Sequence, residues 1–122
     1  DLIRHLAAME RFMFAENALG RPSRYPGHGR ELADGYDAVL GYYEKLGAES
    51  RAVFAGLNEA DLERRCTTPA GAELRVWKWL RAMFEHEAHH RGQLYLMLGT
   101  IGAAAPPLFG LTSEEVRRRS GF

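Results

Sequence analysis

One cysteine, Cys66, is present among the 122 residues, so the chain closes no internal disulfide and has no Cys-x-x-Cys pair for a thiolate zinc site. That usage fits a reducing, cytoplasmic setting. Net charge is also lacking, with 16 basic side chains balanced by 16 acidic ones. Without surplus Lys and Arg to displace phosphate counterions, the balance argues against a nucleic-acid partner. The run Arg117, Arg118, Arg119 follows Glu114 and Glu115, acid before base, which complements the dipole of a short helix. No apolar run approaches the roughly 20 residues of a membrane span, and no signal peptide is evident. Nothing alternates with period two for long enough to predict a sheet. The first residue is Asp rather than Met, so an N-terminal stretch is expected to be missing. The length suits a single domain over 1–122 with a modest core.

Three long amphipathic segments carry the helical period instead. In the first, about 1–18, Leu2, His5, Met9 and Phe12 form a stripe, with Leu6 and Met13 beside it. Gly20, Pro22, Pro26, Gly27 and Gly29 predict a loop that carries Arg21, Arg24, Tyr25 and His28. The second segment, about 30–57, has a regular seam of Leu32, Tyr36, Val39, Tyr43, Leu46, Ser50, Val53 and Leu57. A connector to about Arg75 holds a short turn at Glu59–Leu62 and the breakers Thr67-Thr68-Pro69-Ala70-Gly71. The third segment, about 76–98, has the inward seam Trp79, Met83, His86, His90, Gln93 and Met97. Gly92 in its middle costs roughly 1 kcal/mol against Ala, which predicts a close approach to the backbone there. Gly99, Gly102 and Pro106-Pro107 stop this helix, and Thr112 with Glu115 has the capping-box pattern of a last helix at about 113–119.

The chemistry concentrates in His86-Glu87-Ala88-His89-His90. At spacing i, i+4, His86 and His90 stack on one helix face, roughly 6 Å apart, and can share a metal ion. Burying both without partners would cost about 1–3 kcal/mol each. His5, on another inward stripe, is the third candidate. Three neutral imidazoles with one coordination position left open make a reactive centre rather than a closed structural site. His89 projects to a neighbouring face, as a supporting or interface residue. Glu87 precedes Arg91 by four residues and suits a helical ion pair. Tyr36, Tyr43 and Trp79 are candidates for the rim, and Arg21, Arg24 and His28 for receiving an anionic substrate.

The same run matches the H-E-x-x-H signature of zinc metallopeptidases, a competing reading. A metzincin would place glycine at position 93 and histidine at 96, where this chain has Gln93 and Leu96. A thermolysin-like site needs a downstream Glu, but Glu114 and Glu115 fall where a helix start explains them, and no edge strand is predicted to align a peptide.

The segment from His86 through Arg91, Gly92, Gln93 and Leu94, with its later Leu98-Gly99, resembles the signature of the DinB/YfiT-like superfamily of metal-binding four-helix bundles. Asp1 to Glu10 is similar to that family's second helix, which carries the first ligand. Trp77-Lys78-Trp79-Leu80-Arg81 and the tract from Pro107 through Leu108, Phe109 and Gly110 to Glu115 resemble one subgroup. The resemblance implies an all-α, antiparallel four-helix bundle whose first helix has no counterpart here. It implies His5, His86 and His90 as ligands of a divalent metal, zinc or nickel. Characterised relatives include S-transferases and isomerases that use a low-molecular-weight thiol. The expected activity is therefore thiol or water activation on a small-molecule substrate, as a transferase or hydrolase. A non-catalytic, stress-associated metal-binding protein is the alternative. A homodimer is expected, because the missing helix would leave an apolar groove beside Leu6 and Met13.

Overall fold

The computed structural model describes residues 1–108 and 110–121; Phe109, part of the tract compared above, lies outside them. The first long helix is built from α1 (Leu2–Met9), a π-helical segment (Glu10–Ala15) and α2 (Glu16–Ala18). It closes in a Schellman turn: Gly20 N–H donates to the Asn17 carbonyl and Arg21 N–H to that of Glu16, with Gly20 at φ +76°. The remaining elements are α3 (Tyr36–Ala55), α4 (Glu59–Glu63), β1 (Arg65–Thr67), β2 (Glu73–Arg75), α5 (Val76–Thr100) and α6 (Ser113–Arg119). Among the described residues the fold is all-α apart from one short hairpin, β1–β2. No helix among the described residues is long and apolar enough to cross a membrane.

The chain divides into two compact units, Asp1–His90 and a second that begins at Arg91. In the first unit, Phe14 and Met13 pack on Met83, with Trp79, Leu80 and Phe54 around them. A second cluster joins Ala18, Cys66 and Val76 to Phe54, Leu57 and Trp79. These contacts fix helix directions. Arg11 bonds Glu49 and Ala18 lies by Phe54, so the first helix and α3 run parallel, and the loop 19–35 is a crossover between them. His5 lies beside His86 while Phe14 stacks on Trp79, so α5 runs antiparallel to both.

Several expectations change. The helical part of the second segment starts at Tyr36 rather than near 30. Gly35, at φ +85°, forms its N-cap, which leaves Leu32 outside the helix and Tyr36 78% exposed. Within α3 only Leu46 and Ser50 are fully buried. Leu6 and Met13, expected to border an open groove, are each only 8% exposed because α3 and α5 cover them. The seam of α5 holds through Met83 but not beyond His90, since Met97 is 54% exposed and Gln93 is exposed too. A Cβ on Gly92 would meet no atom within 4 Å among the described residues, so nothing presses on the backbone there.

The hairpin was not expected, because three-residue strands are too short to show alternation. Cys66 pairs with Leu74, and Thr68-Pro69-Ala70-Gly71 closes the turn with Gly71 N–H donating to the Thr68 carbonyl. Proline at the second turn position and glycine at the fourth suit that turn. In the second unit, α6 spans Ser113–Arg119 as expected, and the Thr112 hydroxyl accepts from Glu115 N–H in a capping box.

Candidate metal centre

His5 comes from α1, and His86 and His90 come from successive turns of α5. All three are half-buried, and one ring nitrogen from each lies within 4.8 Å of the others. His5 Nε2 is 3.0 Å from His86 Nε2. The His86 and His90 rings are 4.5 Å apart, and those of His5 and His90 are 4.8 Å apart, centroid to centroid. Nitrogens bound at about 2.0–2.1 Å to one tetrahedral ion lie about 3.4 Å from each other, so small ring rotations suffice to enclose one. No carboxylate or thiol joins this group among the described residues.

Two of the three donors, His86 and His5, are held toward the neutral form a ligand needs. Burial, together with the facing charges of His90, His5 and His89, pushes His86 down to about 4. His5 is lowered by burial and by His90 and His28. A histidine whose pKa is depressed in the folded state adds stability above its unfolded value of about 6.5 and loses it as the pH falls toward the folded value. We therefore expect the metal-free protein to lose thermal stability between about pH 6.5 and 4, and His86→Gln to flatten that slope. Calorimetry across the range, in chelator, measures both.

Behind His5 is a chain that the sequence did not reveal. Tyr25 Oη lies 2.7 Å from His5 Nδ1 and 2.9 Å from His28 Nδ1. With Nδ1–H of His5 donating to Oη, and the tyrosine hydroxyl donating onward to His28, the Nε2 lone pair of His5 faces inward. The loop reaches this position because the buried Arg4 clasps it: Nε donates to the His28 carbonyl and Nη1 to that of Ala33, both at 2.8 Å. Asp1 pairs with the same guanidinium. Arg24 N–H adds a bond to the Phe12 carbonyl. Nothing in the spacing of Arg4 or Tyr25 marks these roles, since the partners that set them, His28 and Ala33 for Arg4 and His5 for Tyr25, lie 20 or more residues away. For Tyr25→Phe we expect about 10–100-fold weaker metal affinity in a chelator competition, with little change in metal-free stability, because the ring is partly exposed.

The other candidates separate. Tyr43 lines a narrow cleft beside His86 with Glu10 and Glu87, whereas Tyr36 lies in the solvent. Trp79 is a core residue, its ring 4.5 Å from that of Phe14. His89 is exposed and only adjoins His90. Glu87 forms no ion pair with Arg91 among those of the described residues; it faces Glu10, whose carboxyl is pushed up by burial and by Glu87. Glu115 is occupied by the cap of α6. Arg21 lines a separate cavity, described below.

A family model described as the DinB superfamily matches residues 1–94. No curated protein and no solved structure matches the chain significantly.

Proposed function

We propose that this chain, which belongs to the DinB superfamily, is a divalent-metal-dependent enzyme that activates a low-molecular-weight thiol or water at His5, His86 and His90. The observation that carries the reading is the convergence of three imidazole nitrogens from two helices, with Tyr25 holding the outer nitrogen of His5. When bound, a zinc or nickel ion supplies Lewis acidity that lowers the pKa of a thiol or water, so that a nucleophile forms near neutral pH. The protein's part is to keep three imidazole donors on one point and to hold His5 in the inward-facing tautomer. The buried Phe14, whose ring centroid is 6.0 Å from that of His86, places an apolar neighbour on the core side of the site. The balanced charge supports a small-molecule substrate rather than nucleic acid.

The test uses protein loaded with cobalt(II) as a spectroscopic stand-in. Addition of N-acetylcysteine is expected to produce a sulfur-to-cobalt charge-transfer band, and zinc- or nickel-loaded protein is expected to accelerate thiol transfer to an electrophile. A metal-loaded protein that shows neither band nor turnover is the non-catalytic metal binder. Loss of turnover in Glu87→Gln with metal retained, on peptide substrates, would instead support the peptidase reading.

We also propose a homodimer. Leu96, Met97 and Ile101, in the last turns of α5 and just beyond it, are 71%, 54% and 78% exposed, and Met97 and Ile101 are four residues apart on one side of the chain. Light scattering at micromolar concentration is expected to give twice the chain mass; a monodisperse monomer removes the idea.

A further inference from the structure

Between the end of α2, the crossover loop and β1 lies an open-sided cavity of about 820 Å³. Its size falls within the range of about 300–1,000 Å³ typical of small-molecule sites. Three of its lining residues are Arg21, Arg64 and Arg65, and none is acidic. Their charge is poorly met from outside the cavity. Arg21 is 3.7 Å from a Glu16 carboxylate that Arg11 already holds at 2.5 Å. Arg65 reaches Glu73 only at 3.9 Å, with both side chains exposed. Arg64 donates to the Ala18 carbonyl, and no carboxylate pairs with it among the described ion pairs.

Gly20 lies directly against that third guanidinium. A Cβ on Gly20 would lie 2.9 Å from Arg64 Nη1, so the glycine supplies space as well as its positive φ. Guanidinium groups whose counter-charges are distant or shared keep an unmet positive charge, and their planar forks match a carboxylate in two-point contact. Met13 and the buried Cys66 contribute apolar surface to the same wall. Tyr25 also lines the cavity, and its hydroxyl is the one bonded to His5.

We propose that this cavity binds a small organic anion, a carboxylate joined to an apolar body, and holds it one side chain away from the histidine cluster. Its role as the substrate's anchoring site rests on the function proposed above; the binding itself does not.

Sodium benzoate and its neutral isostere benzamide are the probes, titrated into isotope-labelled protein both metal-free and zinc-loaded. Benzoate is expected to shift amide resonances of residues 20–25 and 64–68 saturably, and benzamide to leave them in place. The double variant Arg21→Gln/Arg65→Gln, which alters two exposed side chains, is expected to weaken benzoate at least tenfold with an unchanged amide spectrum elsewhere. Arg64→Lys, which keeps the charge but loses the fork, is expected to weaken it as well. No saturable shift with benzoate, equal shifts with benzamide, or unchanged affinity in the double variant overturns the proposal. Zinc stoichiometry measured on the same samples reports the metal reading separately, so either can fail alone.

Discussion

His90→Ala is expected to abolish stoichiometric metal uptake, while His89→Ala leaves the metal content close to that of the unaltered protein. The two residues are neighbours in sequence and their rings are 4.9 Å apart, yet they differ by about 100° around α5. His90 faces His5 and His86, and its loss leaves two nitrogens for an ion that takes three from protein in an open site. His89 lies on the exposed side and supplies only a nearby charge to His86. Any effect of its removal should stay within the 10–100-fold range typical of supporting residues. Elemental analysis of purified, desalted variants gives the answer. Equal loss in both variants would mean that the wrong face of the helix has been assigned to the metal.

The largest stability effect is expected at Phe14. Its side chain is 3% exposed, stacks on Trp79 and packs against Met83, so truncation to alanine removes an aromatic ring from the centre of the first unit. The expected cost is about 3–5 kcal/mol, from lost burial and a cavity that rigid neighbours fill only in part. At roughly 4–8 °C per kcal/mol for a unit of about 90 residues, the melting temperature should fall by about 12–40 °C. Phe12→Ala is the matched control. Phe12 is only half-buried and lies under the Arg11 guanidinium, 5.4 Å from the ring centroid, so its loss should cost far less. Thermal or urea denaturation of the pair measures the difference. Comparable losses would place Phe12, not Phe14, in the core.

That pair also shows where a sequence stops being readable. A steady α-helical period puts Leu2, His5, Met9 and Phe12 on one stripe, and it locates His5 correctly. Beyond Met9 the π-helical segment changes the register, and Phe14 replaces Phe12 in the core. Periodicity assumes a constant turn, so it fails at the first residue where the turn widens. The histidines of α5 were legible because i, i+4 spacing is local and that helix is regular. Arg4, Tyr25 and the arginine-lined cavity were not, because each depends on where a seventeen-residue crossover returns. Loop composition marks the breakers but not their destination. The hairpin was hidden for a different reason: its pairing is settled by the Thr68–Gly71 turn, not by any pattern within the strands.

The widened turn at Glu10–Ala15 has a consequence for what changes this helix can tolerate. In an unbroken α-helix, His5 and Phe14 are nine positions apart and would project in roughly opposite directions, about 180° around the axis. One additional residue accommodated in the widened turn takes up about 100° of that. Both side chains can then reach α5, His5 at His86 and Phe14 at Trp79. Chain length between the two is therefore inherited as a unit. Substitutions along the segment can accumulate one at a time, but losing a single residue there would turn either the histidine or the phenylalanine away from α5. Descendants of this chain are expected to vary the letters of that segment far more freely than its length.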